Sequence, residues 1–305
     1  MIDLERFAMT PEQVAMLSPA ERRVRVVNLY AEAHTLVDYA IFDNILSQDR
    51  VVAGVCSLFS GGNDSTVLTH VFRHRIDYIV HANTTVGIED TRRFVRATAA
   101  GWHIPLLEFM PDPGDRYQDL VLDRGFPGPG MHYKMFQRLK ERGLRKARRQ
   151  LVKNPRKQRV VFLAGRRRTE SSRRANVPEF EREGSTVWVS PLLNWTKFDM
   201  NTYREMSGDV PRNQVSDLLH MSGECLCGAF AKKGELEEIE AFYPETVAEI
   251  RALEAAIAHR TDIPEYRKRW GWGGDAEVLK ASRRTPRSGR LCSSCDVRYR
   301  EGAAA

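Results

Sequence analysis

Residues 51–72 constrain the fold more than any other stretch. From Val51 to Phe59 the chain carries no charge and is rich in β-branched and aromatic side chains, a composition suited to a strand buried on both faces of a parallel sheet. Gly61 and Gly62 then permit a tight turn and let backbone N–H groups approach a ligand. Beyond them Val67, Leu68, Val71 and Phe72 recur on one side of a helix whose first turn holds Asp64, Ser65 and Thr66. Strand, glycine turn and helix N-terminus make a phosphate-binding geometry, because unpaired N–H donors and the positive end of the helix dipole face one spot. An ordinary strand-to-helix connection has the same outline, so the turn alone does not decide.

The surrounding chain supplies the rest of such a sheet. Thr10-Pro11-Glu12-Gln13 and Ser18-Pro19-Ala20-Glu21 are helix-opening signatures, and the second predicts a packing helix to about Leu46. Strands are expected at 77–82, 104–109, 159–164 and 186–190, with a helix from about Glu89 and a basic helix over 131–152, kinked near Gly143. Alternating strands and helices imply right-handed parallel crossovers and a doubly wound α/β sheet, whose ligands bind beyond the C-terminal strand ends where strand order reverses. The turn at 60–65 and the segment from His81 to Thr85, including Asn83, would meet there. The organisation expected is a helical extension (1–48), a nucleotide-binding α/β domain (49–212) and a small helical C-terminal region (213–305) with an acidic amphipathic helix over 236–259.

Charge and cysteines are both segregated. Net charge is +7, but residues 138–174 carry sixteen Lys and Arg against Glu141 and Glu170, so this window is +14 and the remainder −7. Such clustering favours a polyanionic partner, a nucleic acid or an acidic protein, while a solvated helix face remains the plainer reading. With no long apolar run and no signal-like N-terminus, a cytoplasmic protein with no membrane partner is expected. Of five cysteines, Cys56 lies in the first strand and suits core packing. Cys225 with Cys227 and Cys292 with Cys295 form two close pairs, enough to close a tetrahedral zinc or a [4Fe-4S] cube.

Several separated motifs resemble the phosphoadenosine phosphosulfate reductase branch of the PP-loop ATP pyrophosphatase superfamily. Ser60-Gly61-Gly62-Asn63-Asp64-Ser65 is similar to its pyrophosphate-binding loop, with Asn63 standing where many sulfonucleotide reductases carry Lys. Residues 83–91, Leu139-Lys140, Gly165-Arg166-Arg167 with Glu170, Ser171 and Arg173, and Pro191, Trp195 and Asp199 resemble later motifs in the expected order. The resemblance implies ATP and Mg²⁺ as cofactors. Ser60, Ser65 and the loop N–H groups would hold phosphate, with His81, Asn83, Lys140 and Gly165 completing the nucleotide site. Asp64 would coordinate Mg²⁺, and Arg166 and Arg173 would neutralise charge at the α-phosphoryl group. The cysteine pairs resemble those of cluster-containing adenylylsulfate reductases, although the first pair there is adjacent. A [4Fe-4S] cluster is therefore expected ahead of zinc.

The activity expected is adenylation of an acceptor with release of pyrophosphate, followed by sulfur insertion. That reading is similar in character to the iron–sulfur ATP pyrophosphatase of DNA phosphorothioation, with a cysteine desulfurase as sulfur donor. Two alternatives stand beside it: a sulfonucleotide reductase using an external thiol, and a metal-stabilised nucleic-acid binder without catalysis.

Overall fold

The computed structural model describes residues 8–170 and 174–275. Both N-terminal capping signatures are realised: Thr10 and Ser18 accept from Gln13 N–H and Glu21 N–H, opening α1 (Pro11–Ala15) and α2 (Pro19–Asn44). α2 buries Val26, Leu29, Ala33, Leu36, Val37 and Ala40 along one face, while Val27 and Tyr30, also apolar and available for burial by sequence, stay exposed.

Six strands form one sheet: β1 (Val51–Leu58), β2 (Tyr78–Ala82), β3 (Leu106–Phe109), β4 (Gln158–Leu163), β5 (Phe180–Glu183) and β6 (Thr186–Val189), in spatial order β3-β2-β1-β4-β6-β5. β1 runs parallel to β2 and β4, β4 runs parallel to β6, and β5 closes the edge antiparallel. This is the doubly wound, mostly parallel sheet expected. α3 (Asn63–Phe72) follows β1 and α4 (Glu89–Gly101) follows β2. Strand order reverses between β1 and β4, so the loops leaving these two strands flank the switch point.

Several elements differ from expectation. α5 (Tyr117–Arg124) and β5 had no clear periodic signal; β5 is largely charged and is set by the turn through Gly184, whose φ of +59° suits glycine. The basic helix is really α6 (His132–Phe136), a π turn (Gln137–Glu141) and α7 (Arg142–Leu151), so the irregularity lies before Gly143. Gly143 instead allows close packing, since a Cβ there would sit 3.3 Å from Phe109 Cβ. α8 (Lys197–Ser207) and α9 (Gln214–Leu219) follow the sheet. The acidic helix is two, α10 (Glu235–Phe242) and α11 (Pro244–Ile257), because Pro244 lacks the N–H to continue the first.

The chain divides into two compact units. The first comprises residues 1–81, 96–107 and 146–212, the second 82–95, 108–145 and 213–305. In the first, Val67, Leu68 and Phe72 of α3 and Val160 to Leu163 of β4 are buried. In the second, Ile88, Tyr117, Val121, Phe126, Leu226, Ile239, Val247 and Trp272 belong to one apolar cluster. No helix among the described residues is long and apolar enough to cross a membrane.

Candidate functional site

Within the first unit, β1 ends and the chain turns through Gly61 (φ +74°) into Gly62, the N-cap of α3. No side chain caps this helix, and Thr66 N–H to Gly62 C=O, at 2.9 Å, is its first internal bond. The N–H groups of Asn63, Asp64 and Ser65 therefore have no acceptor inside the helix, at the end where the dipole is positive. Ser65 Oγ accepts from Ser60 N–H (3.3 Å), meets Ser60 Oγ at 3.2 Å and donates to Gly62 C=O (2.9 Å). Both hydroxyls are thus held at the mouth of the loop. His81, buried in β2, places Nδ1 2.8 Å from Phe59 C=O and braces the residue that precedes Ser60.

The β4 loop reaches the same place. A Cβ on Gly165 would lie 3.2 Å from Asp64 C and 3.3 Å from Ser65 N, so this glycine lets the two loops touch. Arg167 Nε donates to Asp64 Oδ2 at 2.8 Å, and the arginine is 5% exposed. Burial works against its charge, yet Asp64, Glu170 and Asp199 outweigh burial and raise its pKa. Arg166, the expected charge neutraliser, turns away: its guanidinium lies 3.3 Å from Glu181 Oε1 and 5.6 Å from the Trp188 ring centroid. Arg167 was given no role of its own because three consecutive arginines look alike in sequence, although the Gly165-x-Arg167 spacing of the resemblance singles it out. Arg173 and Ser171 lie outside the described residues.

The other expected groups belong to the second unit. Asn83 is buried, donating to Glu108 Oε1 (2.7 Å) and accepting from Thr85 N–H (3.0 Å). Lys140 Nζ sits 2.8 Å from Glu224 Oε2; Glu224 is buried, and its other oxygen accepts from Thr84 N–H at 3.0 Å. Glu224 had no motif to announce it. The next residue begins the first cysteine pair. Cys225 hydrogen-bonds Cys227, and this bond, burial and the neighbouring thiol push its pKa well up. Tyr117 Oη donates to Cys227 C=O (3.1 Å) and Trp270 Nε1 to Leu226 C=O (2.8 Å), clamping the turn. Two adjacent sulfurs fit one side of a four-thiolate set. Cys292 and Cys295 lie outside the described residues, and among the described ones no three His, Cys, Asp or Glu side chains gather as a metal site.

The basic window is not one bare surface. Arg138 and Arg142 pair with Asp115, Arg145 with Glu141, Arg168 with Glu179 and Arg174 with Glu170.

Residues 54–217 match the phosphoadenosine phosphosulfate reductase domain, more than half of the chain. The chain belongs to this family. Among solved structures it is similar to the phosphoadenylyl-sulfate reductase of Candida auris in its phosphate complex, at 17% identity over 72% of this chain and 93% of that one, TM-score 0.43. It is also similar to the U34-tRNA thiolase NcsA of Methanococcus maripaludis with its [4Fe-4S] cluster, at 14% identity over 76% of this chain and 79% of that one, TM-score 0.35. No curated protein matches significantly.

As a phosphoadenosine phosphosulfate reductase family member, the chain uses some motif residues for architecture. Asp199 is fully buried. It accepts from Thr196 N–H at 2.7 Å, which caps α8, and from Arg25 Nε of α2 at 2.9 Å. Trp195 is 1% exposed. Cys56 is wholly buried in β1, where burial and Asp77 push its thiol pKa up, so it is no nucleophile.

Proposed function

We propose that this family member binds ATP at residues 60–65 and cleaves it between the α and β phosphates, passing the adenylyl group to an acceptor oxygen. The observation that supports this reading is the uncapped N-terminus of α3 at the strand reversal, with Asp64 anchored by Arg167. The first-turn N–H groups and the Ser60 and Ser65 hydroxyls would hold the pyrophosphate oxygens. The acceptor oxygen forms a bond to the α-phosphorus, the α–β bridging bond breaks, and its electron pair leaves with pyrophosphate. The loop fits Mg²⁺, because that ion needs only one or two carboxylates beside phosphates and water, and Asp64 supplies one. Mg²⁺ there would neutralise charge on the leaving pyrophosphate. Arg167 would hold the Asp64 carboxylate in place, and Gly165 would keep the β4 loop against it.

The adenylated acceptor would then take sulfur delivered by a cysteine desulfurase, with Cys225, Cys227, Cys292 and Cys295 holding a [4Fe-4S] cluster that assists sulfur handling. The side-by-side Cys225 and Cys227 support the ligand set. Anaerobically purified protein is expected to be brown and to bleach in C225S; a colourless wild type favours zinc.

The deciding measurement is pyrophosphate released from ATP and Mg²⁺, with and without candidate acceptors. S60A and D64A should each abolish most turnover, and full turnover in either would refute the assignment. The family match keeps a second reading in view, reduction of a sulfonucleotide by an external thiol. That reading requires sulfite from adenylylsulfate or its 3′-phosphorylated form, and no ATP cleavage.

A further inference from the structure

At the amino-terminal ends of β1 and β4, opposite the ends that carry the phosphate loop, arginines gather without carboxylate partners. Arg159, the β4 partner of Val52, is 8% exposed; its Nη1 donates to Pro155 C=O (2.6 Å) and Gln158 C=O (2.9 Å), and its Nε has no partner. Arg50 enters β1 beside it; its Nη1 reaches only the Asp49 carbonyl, at 3.5 Å, and its buried Nε is likewise unsatisfied. Arg182 stands exposed on β5 and donates to Gln48 Oε1 at 3.0 Å. Strand alternation puts it on the face opposite to Glu181 and Glu183. Arg148 donates to Ser185 Oγ at 3.3 Å, in the turn that leads into β6.

None of these four forms an ion pair among the described residues, unlike Arg138, Arg142, Arg145, Arg168 and Arg174. Burial, then Arg182 and Arg50, lower the pKa of Arg159, as expected where cations crowd without an anion. Residues 146–159 add to this edge. They contain seven Lys or Arg and no Asp or Glu, and Arg149, Lys153, Arg156 and Lys157 are exposed.

A buried guanidinium such as Arg159, crowded by other cations and with no carboxylate partner, is costly unless an anion joins it. Planar guanidinium forks match phosphate oxygens, and a ridge of flanking cations gains counterion-release free energy from a continuous polyanion. We infer that this edge, built on Arg50, Arg159 and Arg182 with Lys153, Arg156 and Lys157 around them, docks the phosphodiester backbone of a nucleic acid. Eight residues of β1 at about 3.3 Å each put the surface on the order of 25 Å from the phosphate loop. A strand gripped here would therefore be held at a distance from the loop rather than threaded into it. The inference goes beyond the proposed function and does not rest on its chemistry, since binding is read without ATP.

The test uses the full chain and a fluorescein-labelled 30-base-pair DNA duplex, with a matched RNA duplex and poly-glutamate as competitors, across a salt series. Wild type should bind with log K falling against log salt with a slope of about −4, reflecting four or five neutralised phosphates. The triple variant K153Q/R156Q/R182Q should flatten the slope by about 2.7 and weaken binding at least tenfold, leaving acceptor-free pyrophosphate release unchanged. R138Q/R142Q should leave the slope as it is. RNA competing more strongly than DNA names the nucleic acid and keeps the surface. Wild-type binding unaffected by the triple variant, poly-glutamate competing as well as either duplex, or no duplex binding at low salt would each overturn the inference.

Discussion

Arg167 Nε lies 2.8 Å from Asp64 Oδ2 and joins the loop after β4 to the first turn of α3. Asp64 sits at the end of a helix that favours negative charge, so the carboxylate is held by the dipole as well as by the guanidinium. Arg167→Gln should lower pyrophosphate release at least 100-fold, mostly in kcat, whereas Arg166→Gln should cost less than tenfold. Steady-state assays on the two variants make the comparison, and a larger loss in Arg166→Gln would reverse the assignment.

The buried pair of Arg25 and Asp199 is structural. Removing one partner strands a charge in the core, so Asp199→Ala should destabilise the fold by about 3–5 kcal/mol. The double variant Arg25→Met with Asp199→Leu should lose clearly less than the sum of the singles. Denaturant unfolding of the three variants reads this directly.

His70 is buried between Tyr203 Oη and Asp209 Oδ1, each 2.9 Å from a ring nitrogen. Burial, then Arg73, pulls its pKa from 6.5 down to about 4. The unfolded chain therefore binds a proton that the folded chain refuses between these values, so the contribution of His70 is present above pH 6.5 and is lost as pH falls toward 4. The loss approaches about 3 kcal/mol. Unfolding midpoints of His70→Gln should vary less with pH over this window than those of the wild type; identical profiles would show that other groups carry the acid sensitivity.

Gly165→Ala places a methyl against the backbone of Asp64 and Ser65, which cannot yield as a side chain tip can. The loops must part by a few tenths of an ångström. The expected result is a rise of about tenfold in KM for ATP with a small loss of stability, about 1–2 kcal/mol, within the usual range for overpacking. Unchanged KM with a lowered melting temperature would mean that the contact serves packing alone.

Much of the sheet was legible because local chemistry and global packing agree. The uncharged run of β1, the Ser60–Ser65 turn, the proline-led capping boxes of α1 and α2 and the pairing of Cys225 with Cys227 need only near neighbours to be recognised. What escaped has weak local cues. β5 carries three charges in four residues and is a strand only because β6 pairs with it, and the break between α10 and α11 turns on a single proline that an amphipathic pattern hides.

The amino-acid order by itself determined the fold class and the place of the Ser60–Ser65 turn ahead of α3, because hydrophobic period, glycine positions and helix caps act within a few residues. Only the tertiary structure decided which cations are neutralised and which are left over. Arg166, Arg167 and Arg168 are adjacent and chemically identical, yet they face Glu181, Asp64 and Glu179 respectively. The charge each one presents is a property of its neighbours in space, and Coulomb attraction depends on that distance rather than on separation along the chain.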